Sequence, residues 1–229
     1  MTLLPDPTRI DAGSHGLPTI GHHGTRTISV AKSTFDKVFA FVGLVFLAPI
    51  MLVIAAAIFA TERQPVLFGQ KRIGENGKLF RCWKFRTMAR DADKMLDALL
   101  ASDPELRAQW NATFKLPDDP RITPLGRFLR KTSLDELPQF WNVLRGQMSM
   151  VGPRPIVLDE VPRYGDRYWA YACVRPGLTG VWQVQGRSNT TYPERVAMDV
   201  DYALNRTFWG DVVIILKTVR VVLFRVGAY

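Results

Sequence analysis

Residues 38–60 read VFAFVGLVFLAPIMLVIAAAIFA, a run that carries no charged or polar side chain. About 20 apolar residues in a helix are enough to cross a bilayer. A helix in a soluble core is seldom apolar on every side over such a length. The run starts too late and is too long for a cleavable signal peptide. It therefore predicts contact with a membrane.

Pro49 lies near the middle of this run, where it removes a backbone hydrogen-bond donor and kinks or breaks the helix. Both flanks are basic, with Lys32 and Lys37 before the run and Arg63 after it. Because basic flanks favour the cytoplasmic side, we predict a re-entrant helix–break–helix hairpin over residues 30–62. A kinked helix that spans the membrane is the alternative, since spanning helices tolerate proline.

Length and composition limit the chain to one domain with appendages. Its 229 residues are 47% hydrophobic, which is ample for a core. The net charge of +9 and the pI of about 9.8 indicate an anionic partner: nucleic acid, an acidic membrane surface or a phosphorylated substrate. Cys82 and Cys173 form neither a disulfide framework nor a metal-binding spacing. Residues 1–29, rich in Gly, Pro, Thr and His without periodicity, predict a disordered tail.

Short apolar runs after the membrane segment predict a β-hairpin. Its strands are Pro65–Gln70 and Leu79–Phe85, and Gly74–Gly77 supplies the turn. Leu and Met at helical spacing predict one helix from Ala89 to Phe114.

Further helices and one strand are predicted downstream. Thr123–Lys131 and Pro138–Arg145 predict helices, and the first of them carries Arg130. Trp182–Gln185 predicts a short strand. Asp211–Val226 has its cations on one side of a helical wheel, which indicates an interfacial helix, with a buried core helix as the alternative.

Asp135 and Glu136 are the only acidic residues between Asp119 and Asp159. Around them stand Arg121, Arg127, Arg130, Lys131, Arg145 and Arg154. Two adjacent carboxylates in a cationic field suit a site that handles phosphates. The cations would hold a polyanion, while one carboxylate attacks or accepts a proton and the other holds a divalent metal.

A capping box is the structural alternative for the acidic pair. Ser133–Glu136 fits the pattern S-x-x-E, with acids in a first helical turn. Pro138 complicates this alternative, because it would fall just past the first turn and remove a helical hydrogen bond. A cap at Asp135 or Leu137 would put the proline in the tolerant first turn.

Two further segments present an arginine from a restricted backbone. In Val151–Pro155 (VGPRP), prolines on both sides hold Arg154 in place, which suits bidentate phosphate binding. In Val174–Gly180 (VRPGLTG), Arg175 stands beside a glycine-rich turn. The sequence contains no P-loop lysine motif, no dinucleotide-binding G-x-G-x-x-G after a strand and no zinc signature.

Four motifs follow the proline-broken run in a fixed order. They are Lys84–Met88 (KFRTM), Leu134–Pro138 (LDELP), Val151–Pro155 (VGPRP) and Arg175–Gly180 (RPGLTG). In residue, order and spacing this set resembles the bacterial sugar transferase family, the monotopic polyprenyl-phosphate phosphoglycosyl transferases. The resemblance covers residue 32 to the C-terminus and is strongest to the undecaprenyl-phosphate galactose phosphotransferases of exopolysaccharide synthesis.

The resemblance implies an enzyme that transfers hexose-1-phosphate, with galactose-1-phosphate expected, from a UDP-sugar to undecaprenyl phosphate. The products would be undecaprenyl-diphosphate-sugar and UMP, in the first membrane step of exopolysaccharide synthesis. It implies that Asp135 is the nucleophile that forms a covalent phosphosugar intermediate, and that Glu136 is a ligand of Mg²⁺. The implied substrate-binding residues are Lys84, Arg130, Arg154, Arg175 and Asp199.

The implied architecture is α+β and mostly helical. A re-entrant membrane hairpin (30–62), a small β-hairpin and amphipathic interfacial helices surround a cytoplasmic catalytic core (63–229) at the inner membrane. The implied partners are the UDP-sugar, undecaprenyl phosphate and membrane lipid, with no nucleic acid, and a homodimer stays open. Ala48–Pro49 departs from the Ser-Pro that small members carry, which leaves the break angle open.

Two alternatives to this reading remain. The first is the same reaction with UDP-glucose or a UDP-N-acetylated sugar. The second is a non-catalytic scaffold anchored in the membrane.

Overall fold

The computed structural model describes residues 30–63, 65–113, 116, 118–185 and 190–224. Within these residues the chain is mostly helical, with four short strands, which confirms the predicted class. The helices are α1 (Val30–Glu62), α2 (Ala92–Ser102), α3 (Pro104–Thr113), α4 (Pro124–Thr132), α5 (Gln139–Leu144), α6 (Val161–Tyr164), α7 (Tyr168–Ala172), α8 (Val181–Gln185), α9 (Tyr192–Asn205) and α10 (Phe208–Phe224). The strands are β1 (Leu67–Ile73), β2 (Leu79–Phe85), β3 (Ser149–Val151) and β4 (Gly177–Thr179). The tail predicted over residues 1–29 lies outside the described residues.

Helix α1 is one continuous helix that contains Pro49. Many of its large apolar side chains face outward; Phe46 is 81% exposed and Val53 68%. In the described part of the chain α1 is the one helix long and apolar enough to cross a membrane. The structure therefore shows one helical element where the sequence predicted two, and the re-entrant path stays a prediction.

The chain divides into two compact units. The first, called the Asp135 unit, comprises Ala48–Phe68 and Lys84–Leu137. Its core forms where the second half of α1 meets β2 and α4. The buried members of this core are Ile54, Ile58, Phe85 and Leu129.

The second unit, called the Arg154 unit, comprises, among the described residues, 30–47, Gly69–Trp83, 138–185 and 190–224. Its larger core contains Ile73, Ile156, Tyr164, Tyr168, Tyr171, Ala172 and Val196. The hydroxyl of Tyr171 ties this core to the backbone: it donates to Ile73 O at 2.6 Å and accepts from Ile156 N at 3.2 Å. The first half of α1 and the turn end of the β1–β2 hairpin belong to this unit.

Strands β3 and β4 pair in parallel, with Ser149 opposite Gly177 and Val151 opposite Thr179. The sequence predicted only turns here. The pairing is close because Gly152 and Gly177 have no side chains: a Cβ added to Gly177 would lie 2.1 Å from Gly152 N. Backbone-to-backbone packing of this kind requires glycine.

Several predicted elements are confirmed, with small shifts in their ends. The hairpin forms, but its first strand is Leu67–Ile73 rather than Pro65–Gln70. Helices α4 and α5 lie where the sequence predicted them. Helix α10 (Phe208–Phe224) contains the described part of the helix that was predicted over Asp211–Val226.

Two predicted elements are wrong. The single helix expected over Ala89–Phe114 is broken at Asp103, whose carboxylate caps a new helix by accepting from Glu105 N and Leu106 N at 2.9 and 3.0 Å. Pro104 then occupies the first position of α3, where proline is tolerated. The strand expected at Trp182–Gln185 is helix α8, because local propensity in so short a run is overridden by packing.

Candidate active site

Asp135 lies in a tight turn that follows α4. Ser133 ends this helix in the left-handed conformation, with φ of 58°. Leu134–Glu136 then form a single 3₁₀ turn. Leu134 and Leu137 pack against the core of the Asp135 unit. Asp135 lies between these two leucines in the sequence and is buried, with 7% of the residue exposed.

The capping box considered for Ser133–Glu136 does not form. The side chain of Ser133 makes no capping hydrogen bond. A capping residue needs extended backbone angles, and the left-handed conformation of Ser133 does not supply them. The next α-helix, α5, begins at Gln139, directly after Pro138.

Lys84, near the end of β2, supplies the cation nearest to the acidic pair. Its Nζ lies 2.6 Å from Glu136 Oε1 and 3.8 Å from Asp135 Oδ2. The side chains of Lys84 and Glu136 are partly exposed, whereas Asp135 is buried. Lys84 and Glu136 therefore form the solvent-exposed edge of this cluster.

Burial raises the pKa of the Asp135 carboxyl group to about 6, because low polarity disfavours the charged form. The charge of Lys84 opposes this shift, Glu136 adds to it, and Arg130 lowers the pKa again. The carboxylate is thus ionised at neutral pH but poorly hydrated. Such a group, next to a cation that attracts phosphate oxygens, is suited to attack a phosphorus atom.

Arg130 is held beside the motif Lys84–Met88 by a hydrogen bond from its Nε to Thr87 Oγ1 at 2.9 Å. The bond is possible because α4 packs directly on the backbone of Thr87: a Cβ added to Gly126 would lie 2.1 Å from Thr87 O. Thr87 was not singled out from the sequence. Its place inside the motif was the only available signal.

Arg154 belongs to the Arg154 unit and is partly buried. The carbonyls of both neighbouring prolines are fixed: Pro153 O accepts from Gly177 N at 2.8 Å, and Pro155 O accepts from Arg72 Nη1 at 2.9 Å. Within the described residues the guanidinium of Arg154 makes no hydrogen bond or ion pair. It is therefore available to an anion.

Arg175 has protein partners. Its Nε lies 3.2 Å from Glu75 Oε2, and its Nη1 donates to Ser33 Oγ at 3.3 Å. These contacts join α1, the turn of the hairpin and the start of β4. They show what Arg175 does in the fold, and its role in binding substrate stays a prediction.

Asp199 is buried on α9 and accepts a hydrogen bond from Tyr164 Oη at 2.7 Å. Arg195 lies one helical turn earlier, with its Nε 3.9 Å from Asp199 Oδ2. Burial raises the pKa of Asp199 to about 6, while Tyr164 and Arg195 lower it. Sequence reasoning missed both of these partners, since no local pattern links them to the site.

The donor set suits Mg²⁺ bound together with a substrate. Within the described residues no group of three or more His, Cys, Asp or Glu side chains could enclose a metal. Mg²⁺ is commonly bound through one or two carboxylates and the phosphates of a substrate. The adjacent oxygens of Asp135 and Glu136 are compatible with that pattern.

The predicted site residues thus fall into two groups. Lys84, Arg130, Asp135 and Glu136 come together in the Asp135 unit, which also contains Pro49. Arg154, Arg175 and Asp199 belong to the Arg154 unit.

Comparison with known proteins identifies several relatives. The chain is 50% identical over 200 residues to an "Uncharacterized sugar transferase" of Haemophilus influenzae, covering 87% of this chain and 42% of the relative. It is 48% identical over 204 residues to the "Undecaprenyl-phosphate galactose phosphotransferase" of Salmonella typhimurium, covering 89% and 43%. It is 44% identical to the "Exopolysaccharide production protein ExoY" of Rhizobium meliloti, covering 87% and 88%.

The chain spans less than half the length of the first two relatives and most of the third. The family model described as "Bacterial sugar transferase" matches residues 27–225. That match includes all four motifs and every predicted site residue. The chain therefore belongs to the bacterial sugar transferase family.

Proposed function

We propose that this protein transfers hexose-1-phosphate from a UDP-sugar to undecaprenyl phosphate, giving undecaprenyl-diphosphate-sugar and UMP. Galactose is the expected sugar, and the reaction would be the first membrane step of exopolysaccharide synthesis. The observation that carries the proposal is the buried carboxylate of Asp135 with Lys84 and Glu136 at its side. The name of the Salmonella relative supports undecaprenyl phosphate and galactose, and the name of the Rhizobium relative supports exopolysaccharide synthesis.

The reaction would proceed in two displacements at one phosphorus atom. A carboxylate oxygen of Asp135 attacks the phosphorus that carries the sugar, and the bond from that phosphorus to the UMP oxygen breaks. The resulting acyl phosphate keeps the phosphoryl group activated. An oxygen of the lipid phosphate then attacks the same phosphorus and releases the Asp135 carboxylate unchanged.

The side chains around Asp135 would divide the remaining tasks. Lys84 keeps the buried carboxylate ionised and attracts the phosphate oxygens. Arg130, fixed by Thr87, is a cation of the same unit that suits the diphosphate. The resemblance also assigns Arg154 of the other unit to substrate binding. Glu136 would hold Mg²⁺, which when bound neutralises diphosphate charge.

The apolar surface of α1 would place the protein at the inner membrane. A helix in water seldom exposes so many large apolar side chains together, among them Phe46 and Val53. A re-entrant path with both ends at the cytoplasmic face would bring the site to the lipid phosphate. Membrane lipid would then contact the apolar surface of α1 and would also surround the undecaprenyl chain of the acceptor.

UMP release tests the proposal. Detergent-solubilised protein with UDP-galactose and no lipid acceptor should release at most about one UMP per active site, because the nucleophile stays occupied. Mass spectrometry should find a hexose-phosphate on the peptide that contains Asp135. Asp135→Asn should abolish both signals, whereas Glu136→Gln should retain Asp135 and show a weaker dependence on metal.

Asp159→Asn is the matched control, because Asp159 is an exposed carboxylate whose change should leave UMP release intact. A variant Asp135→Asn that turns over near the wild-type rate would refute the proposed nucleophile. A panel of UDP-galactose, UDP-glucose and UDP-N-acetylated sugars in the same assay decides the sugar. Release from none of them would leave the non-catalytic scaffold as the better account.

A further inference from the structure

The backbone around Arg154 is held by two anchors of different kinds. On one side, Gly177 N donates to Pro153 O, which is a backbone contact of the β3–β4 pair. On the other side, the anchor is a side chain: Arg72 Nη1 donates to Pro155 O at 2.9 Å. The next residue, Ile156, is bonded through both its N–H and its carbonyl. A substitution can remove the Arg72 anchor without touching the others.

Arg72 is itself restrained and mostly buried, with 13% of its side chain exposed. Its Nη2 donates to Gln70 Oε1 at 2.6 Å, and its Nη1 also lies 3.5 Å from Glu160 Oε2. Burial lowers the pKa of Arg72, and the charge of Arg154 lowers it further. The two guanidinium groups therefore repel each other. Both terminal nitrogens of Arg72 bond protein acceptors, whereas the guanidinium of Arg154 makes no hydrogen bond or ion pair among the described residues.

We propose that Arg72 is a positioning residue for the sugar-donor site: by holding the Pro155 carbonyl, it fixes the backbone of Arg154 so that the Arg154 guanidinium is presented to the diphosphate. This inference rests on the proposed function. Arg72 would not contact the substrate itself, because both of its terminal nitrogens already bond protein acceptors. The neighbouring positive charge also makes an anion the favoured occupant beside Arg154.

Arg72→Met tests the idea, because methionine keeps the length of the side chain and removes both the charge and the donors. We expect the KM for the UDP-sugar to rise about tenfold, since a charge-assisted anchor is lost. The kcat should change by about twofold at most, because the variant retains Asp135 and Lys84. Arg72→Lys, which can restore one hydrogen bond to Pro155 O, should recover part of the loss.

Arg163→Met is the matched control. Arg163 is a partly buried arginine of the same unit, and its guanidinium lies over the Tyr192 ring, 5.0 Å from the ring centroid. Neither Arg163 nor Tyr192 is among the predicted site residues. Only Arg72→Met should therefore raise the KM tenfold.

A double-mutant cycle with Arg154→Ala decides whether Arg72 acts on the KM by positioning Arg154 or by stabilising the fold as a whole. If Arg72 acts through Arg154, adding Arg72→Met to Arg154→Ala should raise the KM no further. Additive effects, or equal KM changes in the two methionine variants, would overturn the inference while the wild type stays active. Failure of the wild type to use any UDP-sugar would instead refute the proposed function, and this inference with it.

Discussion

At the scale of single residues, the site is defined by a conflict between burial and charge at Asp135. The carboxylate is buried, yet it must be ionised to act as a nucleophile. Lys84 compensates only in part, because the pKa of Asp135 is still raised to about 6. A substitution that removes the charge of Asp135 should therefore lower activity and raise the free energy of unfolding.

Asp135→Asn should stabilise the protein at high pH. The carboxyl group has a pKa of about 6 when folded and an ordinary value near 4 when unfolded, so the folded state binds more protons between these values. Its contribution to stability is present below about pH 4 and is lost as the pH rises through 6. The neutral amide avoids that loss, which corresponds to roughly 1–3 kcal/mol.

Thermal unfolding in detergent with a chelator measures this effect without bound metal. The variant should melt above the wild type at pH 8, and the difference should vanish near pH 4. The exposed control Asp159→Asn should follow the wild type at both pH values. A variant that melts at or below the wild type at pH 8 would show that the charge of Asp135 does not strain the fold.

Arg154→Ala should lower kcat/KM more than Arg127→Ala. Arg154 is partly buried, has a fixed backbone and makes no competing contact among the described residues, whereas Arg127 is exposed on α4. Loss of a charge-assisted hydrogen bond to phosphate corresponds to about tenfold to a hundredfold in rate. Steady-state kinetics with the UDP-sugar measure both variants. Equal and mild losses would mean that Arg154 has only a structural part.

At the scale of elements, the placement of Arg130 depends on the approach of α4 to the backbone of Thr87. Thr123 caps the helix through its side chain, which accepts from Gly126 N at 3.0 Å. Gly126 then meets the carbonyl of Thr87 with no room for a side chain. One turn later, Arg130 Nε donates to the hydroxyl of Thr87.

Gly126→Ala should therefore displace α4 and lower activity. The added methyl group would overlap Thr87 O, and overpacking of this kind destabilises by roughly 1–3 kcal/mol. Melting temperature and UMP release should both fall. Lys131→Ala, an exposed change on the same helix, should alter neither by much. A fully active and stable alanine variant would show that the helix can move without harm to the site.

At the scale of the whole molecule, α1 is fastened to its neighbours by a buried ionic cluster. Lys32 Nζ lies 2.6 Å from Asp36 Oδ1 and 3.0 Å from Asp211 Oδ2, which belongs to α10. Asp36 also accepts from Ser149 Oγ at 2.7 Å. Tyr202 bonds both Asp211 and the carbonyl of Val151. Polar contacts thus fix the first turns of α1 to the other elements of the Arg154 unit.

The two ends of α1 should lie on the same side of the membrane. Single cysteines at Val30 and Thr61, both exposed, can be labelled with an impermeant thiol reagent after the two native cysteines are replaced by alanine. In intact cells both should be protected, and in lysed cells both should react. One labelled and one protected site would establish a spanning helix. Pro49→Ala should move the pattern toward spanning, because the freed carbonyl regains its donor.

Much of the fold could be predicted from the sequence because its signals are local. The apolar run at residues 38–60, the hairpin turn at Gly74–Gly77 and the helical spacing before and after Pro138 are set by neighbours along the chain. The acidic pair in a cationic field likewise predicted Asp135 and Glu136 as site residues, and their catalytic roles stay a prediction. The break at Asp103 was missed because the helical spacing of apolar residues continues past an aspartate that caps a new helix. The strand predicted at Trp182–Gln185 was wrong because so short a run has no periodicity that separates strand from helix.

The sequence by itself determined which residues the candidate site can draw on, an acidic pair and several cations, and an apolar segment long enough to cross a membrane. The tertiary structure decided which of them meet. Lys84 reaches Glu136 across 52 positions of the chain, Arg72 reaches Pro155 across 83, and Arg175 reaches Glu75 across 100. Burial of Asp135, and with it the raised pKa, depends on the same packing. Periodicity and composition act over a few residues, whereas desolvation and ion pairing depend on distances in space that no local pattern specifies.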